Sequence, residues 1–134
     1  MLNPEVVALI EYRLNRARKT LEDAKLLFKH GRYNSCMNRL YYSVFYSVLA
    51  LLRTENLMSS KHSGVRAMFH KEFVRKGIVP PELGKFYDEM FEFRQRGDYE
   101  DFVEFEKEKV SYCLEKVEEF VEFISKIVKN KTKG

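Results

Sequence analysis

Apolar residues in the first part of the chain recur every three or four positions, which is the spacing of one face of an α-helix. From Val7 to Phe28 this alternation is unbroken, so it predicts a long amphipathic helix with one buried stripe. The helix opens after Asn3, with Pro4 at the favoured first helical position. Gly31 is suited to the left-handed backbone that closes a helix.

The second predicted helix begins near Asn34 or Ser35, ends near Arg53 and is apolar on almost every side. This pattern favours the central and most buried helix of the fold. We expect its aromatic side chains in the core, with a platform for stacking nucleic-acid bases as the alternative. These side chains are Tyr41, Tyr42, Phe45 and Tyr46.

Three further helices are predicted, over about residues 65–76, 81–96 and 103–128. Gly77 stops the first of them, and Gly97 ends the second. The turn between these two helices contains two prolines, neither of which continues a helix.

The whole chain, residues 1–134, therefore reads as a single all-α domain, an antiparallel up-and-down bundle of about five helices. The short connection after the first helix makes the first two helices antiparallel neighbours. The first and last helices bury more apolar surface than one short third helix covers, which predicts a homodimer.

Composition narrows the class of protein. The chain is 45% hydrophobic and 33% charged, with only three prolines, which is typical of an ordered globular protein. The sequence has neither a long apolar run nor a secretory signal, so we expect a cytoplasmic protein without a membrane span. Cys36 and Cys113 are expected to be small buried residues. Abundant Lys and Glu without Trp suits a thermophile.

Charge is distributed unevenly along the chain. Residues 1–97 carry 17 Lys and Arg against 10 Asp and Glu, whereas residues 98–134 carry 7 against 10. This asymmetry favours nucleic acid or an acidic partner for the first part; complementarity between the helices is the alternative. Residues 59–77 concentrate the basic charge, in a pattern that attracts a phosphate backbone. The candidate phosphate-binding side chains there are Lys61, Arg66, Lys71 and Arg75.

The sequence contains no recognisable motif for binding a metal or a cofactor. His30, His62 and His70 do not stand at ligand spacing, and no Glu-x-x-His pair of a di-iron bundle is present. Gly-rich phosphate loops are also absent from the sequence. We therefore expect neither a metal nor a cofactor.

The stretch FEFRQRGDYEDF is the strongest candidate for chemistry. It contains Arg94, Arg96, Asp98 and Tyr99 around Gly97. Arginine binds phosphate through its planar fork, but metal-free RNA cleavage also needs an acid and a base, roles that suit histidine. The stretch therefore favours binding over cleavage. The alternative is an ordinary helix end, with Arg94 paired to a carboxylate, Gly97 as C-cap and Asp98 capping the next turn.

The order of these segments resembles the HEPN domain family (higher eukaryotes and prokaryotes nucleotide-binding). LEDAKLLFKHGRYNSCMNRLYYSVFYSVLALL, KHSGVRAMFHKEFVRKG and FRQRGDY carry the likeness, followed by a long C-terminal helix, over about residues 13–128. The resemblance implies a dimeric helical bundle. Many family members are metal-independent endoribonucleases built around an R-x4-6-H motif. Small members often pair with a minimal nucleotidyltransferase as a toxin–antitoxin system, in which a tyrosine near the motif is the modification target.

The motif carries over only in part. Arg94 stands where the family has its arginine, and the histidine would fall at Tyr99, Glu100 or Asp101. Counting from Arg96 also reaches no histidine. By this resemblance Tyr99 is the candidate for modification.

Three functions remain open on the sequence. The leading one is a non-catalytic or weakly catalytic HEPN protein that binds RNA or a nucleotide and pairs with a nucleotidyltransferase. The second is a ribonuclease that uses Arg94 with Asp98, Tyr99 or His62. The third is a structural protein-interaction module.

Overall fold

A computed structural model of the protein describes residues 2–133, which form five α-helices and one π-helical turn. The helices are α1 (Pro4–Lys29), α2 (Tyr33–Thr54), α3 (His62–Phe69), α4 (Pro81–Tyr99) and α5 (Lys107–Lys133), with the π-helical turn (His70–Val74) after α3. The described residues contain no strand. The prediction of an all-α, up-and-down helical bundle is confirmed.

Local sequence signals set the ends of α1. The side chain of Asn3 accepts a hydrogen bond from the backbone nitrogen of Val6 at 2.9 Å, and Pro4 follows as the first helical residue. Gly31 adopts a φ of 71° just after the helix, a conformation that costs glycine little. Both predicted ends of this helix are therefore confirmed.

Side chains of α2 fix its antiparallel register against α1. The Ser43 hydroxyl donates to the Ala17 carbonyl at 2.7 Å, and the Cys36 thiol donates to the Ala24 carbonyl at 3.2 Å. Because α2 packs against α1, α4 and α5, it is the central helix, as its apolar pattern predicts. Cys36 and Cys113 are buried free thiols, as expected.

The end of α4 and the start of α5 differ from the prediction. Gly97 is not a C-cap, since α4 continues through it to Tyr99, and α5 begins at Lys107 rather than near residue 103. A Cβ atom at Gly97 would stand 2.8 Å from Cε2 of Phe105. Gly97 is therefore needed because the Phe105 ring lies against the helix there, and the connection up to Phe105 packs against the end of α4.

The third helix also differs in its length. It begins at His62, three residues before the predicted start, and passes into the π-helical turn. Gly77, with a φ of 78°, ends this segment as predicted. Within residues 2–133, no helix combines the length and the apolar character that crossing a membrane requires.

Candidate functional site

The Arg94 side chain is held in place by α2 and α4 together. Its Nε atom donates to Oδ2 of Asp98 at 3.2 Å, one helical turn further along α4. Its Nη2 atom donates to the Tyr42 hydroxyl at 3.1 Å and to the Tyr99 hydroxyl at 3.3 Å. The side chain is only 13% exposed, so its guanidinium is fixed in orientation.

Aromatic rings surround the same guanidinium. Its Cζ atom lies 5.4 Å from the ring centre of Tyr41 and 5.5 Å from those of Tyr42 and Tyr99, within the range of cation–π attraction. Among the described residues, no acceptor bonds the Nη1 nitrogen of Arg94. The cluster thus holds an arginine that retains donor capacity beside stacking surfaces.

A second line of hydrogen bonds supports Asp98 from α2. The amide nitrogen of Asn38 lies 3.2 and 3.0 Å from the two carboxylate oxygens of Asp98. Arg39 donates through Nε and Nη2 to the Asn38 amide oxygen, at 3.1 and 2.8 Å. Its guanidinium also lies 5.0 Å from the Tyr42 ring centre. Asp98 is therefore held from two sides and in turn orients Arg94.

His62, the first residue of α3, stands at this cluster. Its imidazole stacks on Phe45 with centroids 4.2 Å apart, and its Nδ1 atom lies 2.9 Å from the Tyr41 hydroxyl. The Tyr42 ring meets it edge-on at 5.7 Å. Burial and the charge of Arg94 both lower the pKa of His62. The imidazole is therefore neutral near pH 7.

The other predicted phosphate-binding residues lie outside this cluster. Arg96 lines a groove of about 630 Å³ that Arg66 also borders. Lys71 and Arg75 line another groove of about 510 Å³, again with Arg66. Lys61 is exposed at the start of α3, next in sequence to His62.

Arg66 joins these two grooves, and its own charge is partly satisfied. Its Nη1 atom pairs with Asp88 at 3.2 Å, and its guanidinium stacks 4.0 Å from the Phe91 ring centre. His70 shares the same carboxylate, with Nε2 2.9 Å from Oδ1 of Asp88. The structure thus brings together Arg94, Asp98, Tyr99 and His62, and it places Arg96, Arg66, Lys71 and Arg75 on a neighbouring surface.

Sequence reasoning missed several members of the cluster. Tyr42 and Tyr46 are half-buried rather than core residues, and the sequence pattern did not select Asn38 or Arg39. One signal was available, because Asn38 and Tyr42 stand four residues apart and so share a face of α2. Within residues 2–133, no group of three or more His, Cys, Asp or Glu side chains is arranged to hold a metal ion.

The fold is an all-α bundle in which Arg94 is held between the second and fourth helices. The chain belongs to the HEPN family, since the sequence model of the HEPN domain matches residues 10–128. A Thermotoga maritima protein named UPF0332 protein is 52% identical over 91% of this chain and 92% of its own length.

Two relatives come from Methanocaldococcus jannaschii, and both are named as putative toxins. One is 38% identical over 93% of this chain and 86% of its own length. The other is 34% identical over 96% of each chain. The likeness to these relatives therefore extends over nearly the whole chain.

Proposed function

We propose that this HEPN protein binds RNA or a nucleotide at the Arg94 cluster without efficient catalysis. The observation that carries the proposal is the fixed Arg94 guanidinium, with its hydrogen bonds to Asp98 and Tyr42 and an Nη1 donor that none of the described residues bonds. A preoriented guanidinium loses little side-chain entropy when it binds a phosphate. The exposed ring of Tyr99 offers a face on which an unpaired base stacks.

Weak catalysis is part of the proposal, because Tyr99, Glu100 and Asp101 occupy the positions at which the family motif would have its histidine. A tyrosine hydroxyl is a poor proton acceptor at neutral pH. Tyr99 is 71% exposed, and its hydroxyl lies 3.3 Å from Nη2 of Arg94. Transfer of a nucleotidyl group from a nucleoside triphosphate to that hydroxyl, with release of pyrophosphate, would bring a phosphate to Arg94 and occupy the site. Tyr99 is accordingly the proposed modification site.

The proposed partners are a second copy of the chain and a minimal nucleotidyltransferase. The names of the two M. jannaschii relatives as putative toxins support a toxin–antitoxin-like system. In such a pair the nucleotidyltransferase would control the HEPN protein through Tyr99. The groove that Arg66, Lys71 and Arg75 line would extend the contact with RNA. In the groove that Arg96 lines, acidic side chains outnumber basic ones, and Lys61 lines neither groove.

A metal-independent endoribonuclease is the second candidate, and the position of His62 favours it. A neutral imidazole in the Arg94 cluster suits the removal of a proton from a ribose 2′-hydroxyl. This role requires Nδ1–H to donate to the Tyr41 hydroxyl, which leaves the Nε2 lone pair free. Arg94 would then stabilise the charge that develops on the phosphate.

One set of proteins separates these functions. Purified wild type, Arg94→Ala, His62→Gln and the control Arg18→Ala would be mixed with a pool of tRNA and mRNA in EDTA. Arg18 is an exposed residue of α1 and takes no part in the cluster. We expect intact RNA with all four proteins, and binding that disappears only in Arg94→Ala.

Other results would favour one of the alternative functions. Cleavage by wild type that disappears in both Arg94→Ala and His62→Gln would establish the nuclease instead. Wild type that neither binds nor cleaves would leave the structural interaction module. Sedimentation of the purified chain tests the dimer, and co-purification with a nucleotidyltransferase encoded beside it tests the partner.

A further inference from the structure

Three arginines on α1 and α2 form a basic group outside the Arg94 cluster. Arg13 and Arg16 lie one turn apart on α1, and Arg53 lies near the end of α2. Among the described residues, none of the three has a carboxylate within ion-pair distance. Arg53 stands seven residues after Tyr46 on α2, two turns along the same helix face, and the Arg16 guanidinium lies over the Tyr46 ring. Burial and the charge of Arg53 lower the pKa of Arg13, which agrees with this placement.

Arg53 has a buried, unsatisfied hydrogen-bond donor. This donor is its Nε atom, which has no partner among the described residues. Its Nη1 atom bonds the side-chain oxygen of Asn56 and lies 3.4 Å from the sulfur of Met58, both neutral groups. A buried donor without a partner costs free energy, and so do like charges held close together. An anion bound at the guanidinium groups would offset the repulsion between them.

A continuous row of side chains connects this group to the Arg94 cluster. The Arg94 guanidinium lies 5.5 Å from the Tyr42 ring centre, which lies 5.8 Å from that of Tyr46. The Arg16 guanidinium lies 4.3 Å from the Tyr46 ring centre. Aromatic faces alternating with guanidinium groups are the means by which proteins follow a single-stranded nucleic acid.

We propose that Arg13, Arg16 and Arg53 form a second phosphate subsite for the RNA strand that the Arg94 cluster binds. The inference rests on the proposed function and adds to it the length of the ligand. Arg53 stands eleven positions after Tyr42 on α2, a rise of about 16 Å, which is several times the rise of ~3.4 Å per nucleotide along one strand of a duplex. The ligand is thus a strand of several nucleotides, not a mononucleotide.

Fluorescence anisotropy with labelled oligouridylates of increasing length tests this subsite. Wild type, the double variant Arg13→Gln/Arg53→Gln and the control Arg18→Gln would be titrated over a series of salt concentrations. Arg18 is a matched control because two residues turn the helix by about 200°, which places it opposite Arg16. Glutamine keeps much of the side-chain length while it removes the charge.

We expect the double variant to bind a long strand roughly tenfold more weakly than wild type and a dinucleotide equally well. The slope of log affinity against log salt should fall by about 0.7, because each phosphate of a single strand that the protein neutralises adds ~0.7 to that slope and the subsite holds one phosphate. The melting temperature should stay the same or rise, because the variant no longer holds two like charges together. Arg18→Gln should match wild type throughout.

The proposal is overturned if the double variant binds long strands with unchanged affinity and salt slope while Arg94→Ala no longer binds. That result would leave the proposed function intact. A double variant that no longer self-associates but keeps its RNA affinity would also overturn it, because the arginines would then serve contact between copies. If wild type binds no strand of any length, the proposed function fails together with this extension.

Discussion

Asn38 of α2 and Asp98 of α4 are joined across the bundle, with the amide nitrogen 3.2 Å from Oδ1 and 3.0 Å from Oδ2 of the carboxylate. The two residues are 60 positions apart in sequence. Because Asp98 also accepts from Nε of Arg94, the amide of Asn38 sets the position of the carboxylate that orients the arginine.

Replacing Asn38 by Asp should therefore turn an attractive contact into a repulsive one. The substitution keeps the shape of the side chain and the acceptor for Arg39, but it sets a second carboxylate about 3 Å from Asp98. We expect a loss of roughly 1.5–3 kcal/mol in the free energy of unfolding at pH 7. The loss should shrink as the pH falls towards about 4, where aspartates take up protons. Chemical denaturation at several pH values measures both effects.

Asn38→Ala is the matched control for that experiment. It removes the same hydrogen bonds but adds no charge, so its destabilisation should be smaller and should shrink much less as the pH falls. If Asn38→Asp and Asn38→Ala show the same pH dependence, the two side chains do not face each other as described.

Gly97→Ala tests the packing between α4 and the connection to α5. Alanine within a helix gains about 1 kcal/mol over glycine, but here its Cβ would stand 2.8 Å from Cε2 of Phe105. Overpacking of this kind costs roughly 1–3 kcal/mol. We expect a net loss of stability, measured by urea denaturation.

The background variant Phe105→Ala makes that prediction sharper. With the ring removed, Gly97→Ala should change sign and stabilise the protein by up to about 1 kcal/mol. An equal effect of Gly97→Ala in both backgrounds would contradict the contact with Phe105.

The helices were predictable from the sequence because their signals are local. The alternation from Val7 to Phe28 defines α1, and Gly31 and Gly77 adopt the left-handed backbone that ends a helical segment. Burial of Cys36 and Cys113 follows from the same periodicity. Each of these features depends on residues within a few positions of one another.

Other features depend on tertiary contacts and gave no local signal. Gly97 has the sequence context of a helix end, yet its role is set by Phe105, eight residues later and in contact only in the folded chain. Tyr42 and Tyr46 lie in a helix that is apolar almost all round, so periodicity did not distinguish a face that lines a site from one that lines the core.

The candidate site was likewise predictable in its residue types but not in its tertiary contacts. Sequence chemistry selected Arg94, Asp98, Tyr99 and His62 as side chains that suit phosphate binding or proton transfer. Their proximity comes from the packing of α2 against α4 and from the approach of α3 to Tyr41. Both are long-range contacts that helix periodicity does not specify.

The two cysteines should be unreactive in the folded protein. Burial raises the pKa of Cys36 to about 12 and that of Cys113 to about 11, so the reactive thiolate of Cys36 is about a thousandfold scarcer than for an ordinary thiol. We expect iodoacetamide to label neither residue in native protein at pH 8 and both in urea. Peptide mass spectrometry measures the labelling. Rapid labelling of the native Cys36 would contradict its burial.

The protonation of His62 reports directly on its position beside Arg94. Burial and the charge of Arg94 lower the pKa of His62, so its titration midpoint by NMR should lie below the ordinary value of about 6.5. Arg94→Gln removes one of these causes and should raise that midpoint. Arg18→Gln removes an equal charge outside the cluster and should leave the His62 midpoint unchanged.

The same lowered pKa of His62 fixes the sign of a stability effect. As the pH falls below about 6.5, the unfolded chain protonates this histidine before the folded protein does. The folded state therefore loses stability towards acid pH, and His62→Gln should lack that component of the loss. Denaturation curves for both proteins between neutral and mildly acid pH measure the difference. A His62 midpoint at or above the ordinary value, unaffected by Arg94→Gln, would show that the imidazole does not lie beside Arg94. His62 would then no longer qualify as a neutral base at this site.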